Sequence, residues 1–531
     1  MSRTVKGCTV FPLCYPFVCF LSILGVSVFI RSLCYHSIIC SNNFPGKRKG
    51  NLIRTQKLGI DIAACAVWSL FVLILTGCNL AFLNPVNIAI LIIGFIGFSI
   101  VIVKNGDGSK AERIMAFITI VAIAVRTFYV LYTGADQRQH DMGEFDTELG
   151  LNYHAEYIEY ILENHKLLNE DITLHWQFYH PPLQHIICAV FFGIYRKLAP
   201  GLAHNWDALQ ALSLFYSLVT LAVSKRFIKH WNITPKGNIL AYLTVAVHPQ
   251  LIVFSGALNN DPLSVMFAIA GLYLACVWYQ EEKRSFLKLM GISLCVGLGM
   301  MAKLSAGIIA VPIGFIMLKA FFESKKKLLY ALQYLAFIVV CAPLGLWYQV
   351  RSYILWKVPI TYVARPDVVL NPGQIIEKMP FWKRFLSFGD GVDYNIITET
   401  LDAAVFDGDY YREHMLMALI GYLLLASFTV LTITILFNLI VTWKKGRNFA
   451  NLVMTILLVA ELGSYVYFCF SYPYTCTMSF RYIVPTIIAG AYYTGRSKEI
   501  SPRLLSTITA AATYVFAVVS IVFYCLVWIK D

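Results

Sequence analysis

The sequence predicts an all-α fold, a polytopic membrane-helix bundle of about 13–14 spans, and three observations carry that expectation. Hydrophobic residues make up 58% of the 531 positions and charged residues 14%, with a mean hydropathy of +0.65; a soluble domain carries about a quarter charged residues. Apolar runs of about 20 residues, the length a helix needs to cross the hydrocarbon core, recur along the whole chain. Lys and Arg gather in short stretches between those runs, where they orient membrane helices by the excess of positive charge on the cytoplasmic side. The same placement explains the net charge of +13 without a nucleic-acid partner.

Taken in chain order, the expected spans are 10–34, 58–82, 86–103, 114–133, 207–224, 237–257, 262–280, 286–302, 304–321, 328–349, 414–442, 450–471, 481–495 and 504–528. The first follows a charged start (Arg3, Lys6), has no small-x-small cleavage site and is too long for a signal peptide, so it reads as a membrane segment. Its orientation stays open, because a single crossing leaves either Arg3 and Lys6 or the 47–57 cluster outside. The remaining basic clusters fall at 104–113, 224–236, 281–288, 324–327, 444–447 and 496–503. Placing all of them in the cytoplasm puts two large loops, 134–206 and 350–413, on the outer face. That scheme requires 180–198 to be a surface helix rather than a span, opened by the paired prolines Pro181 and Pro182. Ahead of it, 151–168 repeats apolar positions at helical spacing (Leu151, His154, Tyr157, Ile158, Ile161, Leu162), as an amphipathic helix at the interface does. The first outer loop is therefore expected to be structured, with two juxtamembrane helices. Trp176, Phe178 and Tyr179 between them read equally well as an aromatic belt.

The fourteen Cys lie mainly within apolar runs and show no C-x-x-C spacing, which makes them small buried hydrophobes rather than zinc or redox ligands. Chemistry is expected where charge near the membrane is not explained by topology. "RQHDMGEFD" (138–146), directly after the fourth span, holds Arg138, His140, Asp141, Glu144 and Asp146, with Asp136 and Glu148 flanking it. "LNNDPL" (258–263) adds Asn259, Asn260 and Asp261, although Asp261 ahead of Pro262 also reads as a helix N-cap. Lys303, Arg351 and Arg481 are outward cations that oppose the bias ordering the rest of the chain; their competing role is snorkelling toward headgroup phosphate. Converging with acids, they suit a pocket for an anion: Arg offers two parallel donors to a phosphate, Lys a point charge. Six of the eleven His (His140, His154, His165, His175, His180, His185) lie in the first outer loop. No H-x-x-x-H with an acid on one helix marks a metal site, so hydrogen bonding to acceptor or phosphate is the expected use.

The ordered set of motifs resembles the GT-C membrane glycosyltransferases, and within them the protein O-mannosyltransferase and aminoarabinose-transferase branch (glycosyltransferase family 39-like). An acidic motif after a span is followed by an amphipathic helix and His180-Pro181-Pro182-Leu183, then by "LNNDPL", "AKLSAGIIAVP" (302–312) and "FRYIVP" (480–485), which includes Tyr482. The likeness covers about 113–495, leaving 1–112 as extra N-terminal membrane helices and 496–531 as a C-terminal membrane helix. It implies a multi-pass enzyme of the cell or endoplasmic reticulum membrane with its active site on the non-cytoplasmic face. That enzyme moves a sugar, mannose-like, from a polyprenyl-phosphate donor to a hydroxyl of a protein, lipid or glycan acceptor, with inversion. The family's catalytic Asp lies in the first outer loop, often followed by Glu; this chain lacks an Asp-Glu pair there, and Asp141 is the best positional match, ahead of Asp146 and Glu144. The resemblance further implies donor-phosphate contacts from Lys303, Arg351, Arg481 and Arg138, and substrate contacts from His140, His154, His180, Asn260, Asp261 and Tyr482. No cofactor is called for, and a divalent metal stays an open alternative. The reading from another class is a multi-spanning transporter or lipid flippase; the absence of an internal repeat and the gathering of polar residues at one face weigh against it.

Overall fold

A computed structural model describes residues 47–135, 153–364, 383–386, 395–406 and 414–526. Among them every regular element is helical: α1 (Lys47–Thr76), α2 (Pro85–Lys104), α3 (Lys110–Tyr132), α4 (Tyr153–Asn164), α5 (Leu183–Leu198), α6 (Gln210–His230), α7 (Pro235–Ala246), α8 (Pro249–Val253), α9 (Asp261–Gln280), α10 (Phe286–Ala302), α11 (Ala310–Glu323), α12 (Lys327–Trp356), α13 (Lys383–Leu386), α14 (Ile396–Phe406), α15 (Met415–Lys445), α16 (Phe449–Ser471), α17 (Thr486–Ile500) and α18 (Arg503–Leu526). Ten helical segments among the described residues are long and apolar enough to cross a membrane, so the chain is a multi-pass helical bundle. The expected first span, 10–34, lies outside the described residues.

Three expected spans fall outside those ten: two are broken, and one forms over its expected bounds but is short. The 237–257 run breaks into α7 and α8, because Pro249 cannot donate to a helix ladder and pushes His248 to extended backbone (φ −64°, ψ 126°). The break strands the last carbonyls of α7, and Arg126 on α3 answers one of them: its Nη1 donates to Ala246 O at 2.6 Å and its Nε to Ser217 Oγ at 3.0 Å. The 286–302 run forms a 17-residue helix, α10. The 481–495 run opens as a 3-10 turn, Phe480–Ile483, and becomes α-helical only past Pro485, as α17.

Helix starts follow capping chemistry. Side-chain oxygens of Asn84, Ser109, Thr234 and Asn448 accept backbone N–H groups in the first turns of α2, α3, α7 and α16. Close crossings use glycine: a Cβ on Gly237 would meet Gly495 O at 2.6 Å where α7 crosses α17, and one on Gly345 would meet Met300 Cβ at 2.9 Å where α12 crosses α10.

Contacts bring basic clusters together at one end of the bundle: Lys57 reaches Gly106 O, Lys229 reaches Asp107, the Thr234 N–H reaches Glu499, and Tyr279 stacks on Phe449. Acids meet several of them there. Arg226 pairs with Asp61 at 2.5 Å, and Glu112 takes Lys225 at 2.8 Å and Lys229 at 2.6 Å, with Asp107 2.9 Å from Lys229. The first pair ties α1 to α6 and the second group ties α3 to α6. The N-terminal helices are thus joined to the rest by buried charge as well as by packing. At the other end α4 and α5, which come between α3 and α6 in the chain, pack together over a small apolar core that includes Tyr157, Ile161, Phe178, Phe192 and Trp206.

Candidate functional site

A cavity of about 400 Å³ opens at the end of the bundle opposite the basic clusters, within the range of small-molecule sites, about 300–1,000 Å³. Side chains from separate parts of the chain line it. They include His154, His180, Asn260, Asp261, Lys303, Arg481 and Tyr482, all expected from the sequence.

Each is placed by a local feature. α10 stops at Ala302, Lys303 is extended (φ −151°, ψ 126°), and a 3-10 turn, Leu304–Ile309, reverses the chain into α11. That reversal leaves Lys303 Nζ 2.5 Å from Asp261 Oδ1 and 4.8 Å from the centre of the Tyr482 ring. Asp261 is not the N-cap that its position before Pro262 suggests; it is the first residue of α9, and Asn260 holds the cap position. Asn259 Oδ1 accepts the Asp261 N–H at 3.0 Å, while Asn260 Nδ2 donates to Ala302 O at 3.0 Å and clamps α9 to the end of α10. The Asp261 carboxylate is thereby released from capping and faces the cavity.

Arg481 sits in the 3-10 turn before α17, 7% exposed. Its Nη2 donates to Tyr482 Oη at 2.9 Å, and its guanidinium lies 4.9 Å from the same ring that Lys303 approaches. One tyrosine ring therefore gathers two cations, which its quadrupole attracts.

The histidines form a stack. His154 Nδ1 and His185 Nε2 share a hydrogen bond of 2.8 Å, and the His154 ring lies 5.7 Å from His180 and 5.1 Å from His185. Burial, then the neighbouring His154, holds both His180 and His185 well below the ordinary imidazole pKa; Lys303 and Arg481 add to the effect at His180. Beside the histidines, the ionisable Lys, Arg, Asp and Glu side chains lining the cavity among the described residues are Lys303, Arg481 and Asp261, two cations against one carboxylate.

One other expected residue lies elsewhere. Arg351 does not reach the cavity: its Nη2 donates to Leu168 O at 2.7 Å and its guanidinium lies over Trp356 at 4.9 Å, tying α12 to the segment after α4. Arg138, His140, Asp141, Glu144 and Asp146, with Asp136 and Glu148, lie outside the described residues. Among the described residues no cluster of three or more His, Cys, Asp or Glu is arranged to hold a metal ion.

The structure also adds residues that were not expected. Gln349 and Ser352 on α12, Ser464, Tyr465 and Phe468 on α16, and 358–363 line the cavity. Glu461, 3% exposed, lies one turn from Ser464 and Tyr465 on the buried face of α16. An acid inside an apolar run was the signal that could have drawn attention to Glu461, and Arg126 carries the corresponding basic signal. Comparison with protein-family models and with curated protein sequences returns no match.

Proposed function

We propose that the protein is a membrane glycosyltransferase of GT-C type that moves a sugar from a polyprenyl-phosphate donor to a hydroxyl acceptor on the non-cytoplasmic face. One observation carries the reading: Lys303 and Arg481, far apart in sequence, stand by one tyrosine ring in a cavity that is also lined by Asp261, His154 and His180. A phosphodiester donor brings one negative charge to a site whose described residues set two cations against one carboxylate.

The transfer balances simply. The acceptor oxygen bonds to the anomeric carbon as the bond from that carbon to the phosphate oxygen breaks, with its electron pair left on the phosphate. The acceptor proton passes to a carboxylate, which on the sequence resemblance is Asp141, with Asp146 and Glu144 behind it. The leaving phosphate goes from one negative charge toward two, and Lys303 and Arg481 stabilise the charge it gains. Both cations are held before substrate arrives, so little reorganisation is needed during the reaction. His154 and His180, which both line the cavity, are placed to hydrogen-bond the phosphate or acceptor, His180 as a neutral ring.

The test is transfer by the purified protein in lipid nanodiscs, supplied with a pool of polyprenyl-phosphate sugars and read by mass analysis of released polyprenyl phosphate and glycosylated product. Wild type is expected to transfer, Asp141→Asn to lose transfer, and Lys303→Met and Arg481→Met to lose at least about 100-fold, as removal of one stabilising donor does elsewhere. Full transfer by Lys303→Met and Arg481→Met would remove the phosphate assignment. A wild type that moves lipid or solute across the bilayer and transfers no sugar would establish the transporter reading instead.

A further inference from the structure

Two buried acceptor atoms on residues that line the cavity have no hydrogen-bond partner among the described residues. They are Oδ2 of Asp261, a residue 2% exposed, and Oε1 of Gln349, 6% exposed. A buried polar atom left without a partner costs free energy and calls for an explanation. The polar groups beside them are already engaged: Asn259 and Asn260 in holding the start of α9, and Asp261 Oδ1 in its bond with Lys303.

The unmet need is for donors. A phosphodiester has none, and its oxygens are repelled by a carboxylate, so the phosphate that suits Lys303 and Arg481 cannot satisfy Asp261 Oδ2 or Gln349 Oε1. Hydroxyl groups can. Two acceptors on separate helices, α9 and α12, bracket a ligand that carries more than one hydroxyl, and Asp261 joins the two halves of the site by holding the phosphate-binding lysine with one oxygen.

We infer that Asp261 and Gln349 form the sugar subsite of this cavity, accepting hydrogen bonds from ring hydroxyls of a neutral hexose while its phosphate rests on Lys303 and Arg481; the inference rests on the glycosyltransferase reading. Recognition of this kind discriminates strongly, because an analogue without the hydroxyl leaves the acceptor buried and bare. The lipid phosphate alone binds on the cationic side and is indifferent to Gln349.

The experiment compares binding of two probes to the full chain in nanodiscs: a polyprenyl-phosphate hexose and the same polyprenyl phosphate without sugar. Gln349→Leu, which leaves the Asp261–Lys303 pair in place, is expected to weaken the hexose lipid about 10-fold and the sugar-free lipid less than about twofold. Asp261→Asn, which loses a charged acceptor, is expected to weaken the hexose lipid about 30-fold or more and to leave the sugar-free lipid unchanged or tighter, since Lys303 is then freed from a competing anion. Thermal melts of both variants check folding, and Gln349→Leu carries the test alone where Asp261→Asn does not fold. Equal weakening of both probes, or of neither, overturns the subsite while leaving the donor assignment standing. A wild type that binds neither probe overturns the glycosyltransferase reading and the subsite with it.

Discussion

Replacing Glu112 by Gln should destabilise the bundle more than replacing its partner Lys225 by Met, and the reason is an asymmetry in what each change leaves behind. Glu112 is at the start of α3 with its side chain 4% exposed, and it takes Lys225 at 2.8 Å and Lys229 at 2.6 Å. Lys229 has a second anion in Asp107 at 2.9 Å, half exposed, so it is not stranded when Glu112 is neutralised. Lys225, with its side chain 7% exposed, has Glu112 as its salt-bridge partner and is left as an uncompensated buried ammonium. Breaking a buried pair from one side costs about 3–5 kcal/mol. Lys225→Met, by contrast, leaves Glu112 still neutralised by Lys229 and puts an apolar chain of similar length in the space, so about 1–2 kcal/mol is expected from the lost charged hydrogen bond. The double variant should recover much of the Glu112→Gln loss, giving a coupling of at least about 1 kcal/mol in a double-mutant cycle. Denaturant or thermal unfolding of the detergent-solubilised protein, with bound lipid held constant, measures all four corners. Equal and additive losses for the two single variants would refute the argument, as would a Glu112→Gln protein within about 0.5 kcal/mol of wild type.

The buried His180 and His185 predict acid sensitivity. Their folded pKa values lie well below the ordinary 6.5, so on acidification below about pH 6.5 the unfolded chain binds protons that the folded chain refuses. Stability should therefore be full above that pH and fall as pH drops toward the folded values, by about 1.4 kcal/mol per pH unit for each histidine. Melting temperatures from pH 7.5 to 5 check this, and a slope that persists in a His180→Gln/His185→Gln variant counts against it. At the α7–α17 crossing, Gly237→Val drives a side chain into the Gly495 backbone, 2.6 Å from the first added carbon, and should cost about 1–3 kcal/mol or more in melting experiments; wild-type stability would show that the two helices can separate.

The bundle was legible because hydrophobic run length is read directly from sequence, and the misread runs share a cause. Around Pro249 and Pro485 the apolar character continues while the backbone cannot, so hydropathy alone joins what proline divides. Much of the cavity was legible because its residues break a rule of composition: Lys303 and Arg481 are cations where the orienting bias allows few, and Asp261 is an acid beside an apolar run. Arg351 breaks the same rule and yet serves the fold, bonded to Leu168 O. Charge at an unusual depth marks a residue that needs a partner, and sequence does not say whether that partner is a ligand or a carbonyl. Gln349 and Tyr465 were missed for the opposite reason, since one polar or phenolic group inside an apolar helix stands out little until its neighbours are known.

The ion pair at the centre of the site bears on turnover as well as on binding. Among the described residues Asp261 offsets one of the two cations, Lys303 and Arg481, that line the cavity. On the proposed reading, a phosphodiester donor brings the balance to zero, which favours entry, whereas the polyprenyl phosphate product takes it to minus one as its second charge develops. Without Asp261 the same product would be fully neutralised by Lys303 and Arg481, and the charge complementarity that speeds bond cleavage would also hold the product in place. On that reading Asp261 would limit how tightly the leaving group is kept, so that stabilisation of the transition state does not become retention of the spent lipid.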